Sequence, residues 1–190
     1  MADGVARKRG NVPTSVGQEP IDLMAQAMTQ FPILQNLDLQ YKLSPGARQG
    51  FLEFWPEQEI GSPDYPRPKE FPIGKVGVEV YDQKTRPIDI MGDVASHHLV
   101  KTDPRMKEFY GTFEKSLTAD QKAHLMKQYQ HAKVEEGEMR PYSQWYDASG
   151  LPGYFRGYAF NQWDRPDEMY SKDQLQMFDT MMNYLRGLEK

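Results

Sequence analysis

A mainly α-helical fold of the α+β kind follows from three features of this 190-residue sequence. Helix-start signals recur through the second half, a single stretch alternates as a strand does, and prolines crowd the region between Pro45 and Pro72. Together they predict a compact helical domain over 20–190, with a small β-hairpin, a long proline-rich loop at 44–75 and a flexible basic arm at 1–19. The arm mixes Gly, Ser and Pro with Arg7, Lys8 and Arg9 and lacks apolar periodicity.

Near the start of the chain Pro20 suits a first helical position, and Ile21, Met24, Met28 and Phe31 recur at helical spacing, so a helix is predicted over 20–30 and ended by Pro32. The loop at 44–75 carries the aromatic knot Phe51, Phe54 and Trp55, which predicts an extended segment wrapped over the core. VGVEVY at 76–81 is bounded by turn formers and reads as a strand, with Phe51 to Trp55 as its partner. Pro87 opens a helix through about Val100, Asp103-Pro104 opens the next, and Thr118 with Gln121 forms a capping box ahead of a helix reaching about Glu136. Pro141 begins a short segment to about Ala148. SGLPGYFRGYAFNQW, with its glycines, is expected to break regularity. Ser171 and Gln174 repeat the capping box before the stripe Leu175, Phe178, Met181, Met182, Leu185 and Leu188, of which Leu175, Phe178, Met182 and Leu185 are expected to be buried.

Composition narrows the function. Without cysteine there is no disulfide framework, thiol nucleophile or thiolate zinc site. A net charge of −4 argues against broad nucleic-acid binding, leaving Arg7, Lys8 and Arg9 as the place for a weak contact. No apolar run reaches the roughly 20 residues that span a bilayer, and no apolar segment comes after the basic start, so no membrane partner is expected.

Chemistry concentrates in PIDIMGDVASHHLV. On an α-helix Asp89, Asp93, Ser96 and His97 share one face, where a carboxylate can orient an imidazole and Asp89, Asp93 and His97 could hold a divalent metal. His98 falls in the apolar stripe and reads as a core histidine. His124 and His131 share a face of the next long helix amid lysines and read as surface groups. Arg156 stands among Tyr154, Phe155, Tyr158, Phe160 and Trp163, placed either to fork onto a carboxylate or phosphate or to pin the proline-rich loop through Glu53, Glu57 or Asp64. Glu53, between Leu52 and Phe54, is the carboxylate whose setting would raise its pKa toward a general-acid role. Candidate catalytic residues are therefore Asp93, His97, Arg156 and Glu53.

Three stretches, PRPKEFPIGKVGVEVYD, RPIDIMGDVASHHL and SGLPGYFRGYAFNQW, resemble a domain of tailed-bacteriophage internal virion proteins and of the large polyvalent proteins ejected with the genome. The resemblance spans about 50 to 185 and carries no catalytic residues. It implies a virion-associated or ejected protein, located in the virion or the cytoplasm of an infected bacterial cell, that binds other virion proteins or copies of itself. No cofactor is expected under that reading. The alternative is a metal-assisted hydrolase using the Asp89/Asp93/His97 face.

Overall fold

The computed structural model describes residues 7–8, 19–37, 39–43, 51–54, 67, 69, 71, 75–81, 85–160 and 169–188. They form a mainly helical protein with a small β element, divided into two compact units. One comprises residues 1–94 with 183–190, the other 95–182.

In the first unit α1 (Glu19–Gln30) runs as expected and stops at a 3-10 turn, Pro32–Asn36. Met24, Met28 and Phe31 are buried. The sheet has four strands in the order β1 (Arg7–Lys8), β2 (Gln40–Leu43), β4 (Gly77–Val80), β3 (Phe51–Phe54). The expected antiparallel pair is there, with Phe51 opposite Val80 and Phe54 opposite Gly77. It is half of a mixed sheet, because β2 pairs parallel to β4 and β1 parallel to β2. Arg7 and Lys8, expected in an arm without regular structure, are thus backbone-paired with Gln40 and Tyr41. Strand addition uses main-chain groups and needs no apolar side chains, so composition does not reveal it.

Val78 and Val80 are fully buried, and Glu79 on the other face accepts a hydrogen bond from the Tyr81 hydroxyl at 2.8 Å. Gly77 is required by contact: a Cβ there would lie 2.4 Å from the Phe71 ring. That ring is held where the proline-rich stretch returns to the sheet, since the Arg67 guanidinium donates to the carbonyls of Phe71 and Lys75, both at 2.9 Å. Most of the proline-rich loop, Trp55 included, lies outside the described residues. At the chain's end Gly187, with φ +66°, closes the last helix, and the Leu188 N–H donates back to the Asn183 carbonyl at 2.9 Å.

Pro87 begins α2 (Pro87–Asp93), but the α-helix does not continue to Val100. Val94–Leu99 is a π-helical segment, succeeded by the single turn α3 (Val100–Thr102). In the second unit α4 (Pro104–Ser116) starts where Asp103 accepts from the Met106 N–H at 2.9 Å. The helix α5 (Ala119–Glu135) starts at the Thr118/Gln121 capping box, with both reciprocal bonds made at 2.9 and 3.2 Å. The short α6 (Tyr142–Trp145) passes through a second π segment, Tyr146–Gly150, into α7 (Leu151–Ala159). The glycine-rich stretch expected to be irregular is therefore helical as far as Ala159. Leu151, Tyr154, Phe155 and Tyr158 recur at helical spacing and all are buried, and packing of that face outweighs the roughly 1 kcal/mol that each glycine costs a helix interior.

The last helix, α8 (Lys172–Leu185), starts at the predicted Ser171/Gln174 box. Phe178, Met182 and Leu185 are buried as expected, while Leu175 is only half-buried. The core of the second unit is aromatic. Phe113 packs against Phe155 at 5.4 Å and Phe178 at 5.2 Å between ring centroids. Beside it the two capping glutamines meet: Gln121 Nε2 donates to Gln174 Oε1 at 3.0 Å and Gln174 Nε2 returns a bond to Gln121 Oε1 at 3.1 Å. Further bonds to the Met169 carbonyl and the Ser116 hydroxyl satisfy this buried pair. No helix among the described residues is long and apolar enough to cross a membrane.

Candidate anion-binding cleft

Of Asp89, Asp93, Ser96 and His97, which would share one face on an α-helix, Ser96 leaves that face. A π-helix closes i to i+5 bonds, taking about one more residue per turn, so every side chain beyond Asp93 is rotated from its α-helical position. Ser96, expected on the polar face beside His97, is 1% exposed, whereas His97 and His98 are both half-buried. Asp89 is occupied locally. Its carboxylate accepts from the Arg86 backbone N–H at 3.0 Å and from the Arg86 guanidinium at 2.7 and 3.1 Å, a fork that closes the start of α2. The pairing holds Arg86 above its usual pKa, through the hydrogen bonds first and charge second. Among the described residues no three His, Asp or Glu side chains gather as metal ligands. For Glu53 the structure gives only its backbone register, opposite Val78 in β3. The Glu57 and Asp64 partners considered for Arg156 lie outside the described residues.

Arg156 lines a cleft of about 670 Å³ within the second unit. One wall is α5, where His124, Lys127, Gln128 and His131 sit at i, i+3, i+4 and i+7 and so share a face. The opposite wall is α7, contributing Gly153, Tyr154, Arg156 and Gly157. The floor comes from Trp145, Ser149 and Gly150. Gly150 allows Trp145 to pack under the second π segment, since a Cβ there would lie 2.4 Å from the indole. At Gly153 a Cβ would meet nothing within 4 Å, so this glycine leaves room in the cleft.

The lining is cationic. Lys127 and Arg156 bring basic groups, His124 and His131 bring imidazoles, and Glu136 is the single carboxylate of the lining among the described residues. Arg156 is half-buried with its Nε enclosed, while Lys127 and His131 are exposed. The His124 ring lies 5.7 Å from that of Tyr154, and burial first, then the neighbouring Lys127 charge, lower its pKa. His124, Lys127 and Tyr154 also line an adjoining depression of about 460 Å³ near the start of α5, where Asp120 is the carboxylate among the described residues. Behind Ser149, Arg140 donates to the Ser149 hydroxyl at 3.2 Å and pairs with Glu138, whose carboxyl is held down at about 2.

Sequence alone puts Arg156 among aromatic rings and, separately, His124 and His131 on one helix face, with no means of bringing the two together. The available signal was the 124-127-128-131 spacing, which marks a polar face distinct from the buried face of Gln121, Leu125, Tyr129 and Ala132. No family model, curated protein or solved structure matches this chain.

Proposed function

We propose that the chain is a non-catalytic protein of a tailed-bacteriophage particle, carried in the virion or ejected into the infected cell, and that it acts by binding. The single observation supporting a binding role is the lining of the α5–α7 cleft. Among the described residues a lysine, an arginine and two histidines line it with one carboxylate, an arrangement suited to holding an acidic group of a partner. The phage context comes from the resemblance of the three sequence stretches, which carries no catalytic residues. Other virion proteins, or further copies of the chain, are the partners this reading expects. In the rival hydrolase reading Asp89 would ligate a metal while paired with Arg86, and no observation favours that arrangement.

Quantitative mass spectrometry of purified particles, and of cross-linked complexes from infected cells carrying the gene, tests the proposal. A fixed copy number per particle or a reproducible cross-link to a virion protein is expected. Absence of the chain from both fractions would overturn the reading.

A further inference from the structure

We infer that the α5–α7 cleft is a site for a phosphate monoester, gripped by Lys127, His131 and Arg156 with His124 beside them. The inference rests on the binding role proposed above and names the chemistry of that site. A lone carboxylate is satisfied by one arginine fork, whereas this cleft is lined by a guanidinium, an ammonium and two imidazoles from two helices. A phosphate monoester carries a charge of about −1.5 to −2 near neutral pH and three terminal oxygens, so it can use donors from both walls at once. The volume of about 670 Å³ falls within the size range of small-ligand sites and would not admit a nucleic-acid duplex. A chain with net charge −4 also repels extended polyanions, while a local basic pocket still draws in a single small anion.

Position supports the same reading. Lys127 and His131 lie one turn apart on α5, Arg156 projects from α7, and Gly153 and Gly157 flank it with no side chain of their own. The empty surroundings of a Gly153 Cβ are where the ester's organic group has room. Among the described residues the carboxylates lining the two depressions, Asp120 and Glu136, lie toward opposite ends of α5, with Lys127 and His131 between them.

Titration calorimetry on the full chain tests this with phenyl phosphate, benzoate and the diester methyl phenyl phosphate, each with a subsequent competition by inorganic phosphate. Phenyl phosphate should bind about tenfold or more tightly than either comparator, and inorganic phosphate should displace it. Lys127→Glu and His131→Ala, both at exposed positions, should each weaken phenyl phosphate by about tenfold, and Gly153→Leu should block it sterically. Far-ultraviolet circular dichroism checks that each variant is folded, and if Gly153→Leu is not, the two α5 variants decide. Benzoate binding as tightly as phenyl phosphate would overturn the phosphate assignment while leaving an acid-binding cleft. Failure of every anion at concentrations on the order of 10 mM would overturn the cleft reading as well. Undiminished phenyl phosphate binding in Lys127→Glu and His131→Ala would place the site elsewhere and refute the inference.

Discussion

The helix beginning at Pro87 and the cleft between α5 and α7 contain the same kinds of polar side chain but use them in opposite ways. On the first, two aspartates and two histidines succeed one another along a single stretch of chain. Asp89 is taken up by Arg86 next to it, and the π segment rotates the side chains beyond Asp93. In the cleft the nitrogen-bearing side chains come from positions as far apart as His124 and Arg156, and packing of the aromatic core holds them across a shared space. Polar residues close in sequence tend to satisfy one another locally. Residues brought together by tertiary packing can line one shared space from separate elements, and a binding site needs that arrangement.

If packing makes the cleft, loss of packing should remove it first. Phe155, fully buried against Phe113 and Phe178 on the core side of α7, should cost about 3 to 5 kcal/mol when replaced by alanine, measured by urea unfolding. A loss below about 1 kcal/mol would show that α7 is not anchored through this ring.

Next come the two cleft glycines, which differ in their surroundings. Gly150→Ala must displace Trp145 and should destabilise by about 1 to 3 kcal/mol. Gly153→Ala adds a methyl to open space within a helix and should be neutral or stabilising by up to about 1 kcal/mol. Thermal melts of the pair test the contrast, and equal effects would erase it.

On the local side of the comparison, Asp89→Ala removes a fork to an arginine that is 56% exposed. Solvent screening keeps the expected cost to about 1 kcal/mol or less. A loss of several kcal/mol, or a metal affinity that disappears with the substitution, would restore the helix face as a site.

The smallest effect concerns pH. Burial and Lys127 place the His124 pKa below the ordinary histidine value, so on acidification the unfolded chain binds this proton before the folded one does. Stability from this source is complete above the ordinary histidine range and falls as pH drops through the depressed folded value. The groups lining the same two depressions are Lys127, His131, Arg156, Glu136 and Asp120. His124→Gln should flatten the dependence of the urea midpoint between about pH 7.5 and 5.5, and an unchanged profile would assign the slope to another group.

Much of the helical architecture was legible because its determinants are short-range. The Thr118/Gln121 and Ser171/Gln174 boxes, the Asp103 cap and Pro87 each act within one turn, and each starts a helix where expected. The strand at Gly77–Val80 and its partner Phe51–Phe54 were legible through alternation and the need for a pairing partner. The π segments were not, since nothing in VASHHL or YDASG distinguishes an i+5 from an i+4 turn without the surrounding packing. Nor was α7, whose glycines speak against a helix when its buried aromatic face is left out of account.

The order of residues alone dictates where most helices start, which faces are apolar and that Arg156 stands among aromatic rings. It took the packed fold to make Gln121 and Gln174 a buried amide pair across 53 positions, and to set Arg156 facing His124, Lys127 and His131 over a common cleft. The difference is one of range. Caps and periodic stripes act over three or four residues and leave their mark on neighbouring letters, whereas the cleft depends on packing between helices far apart in sequence.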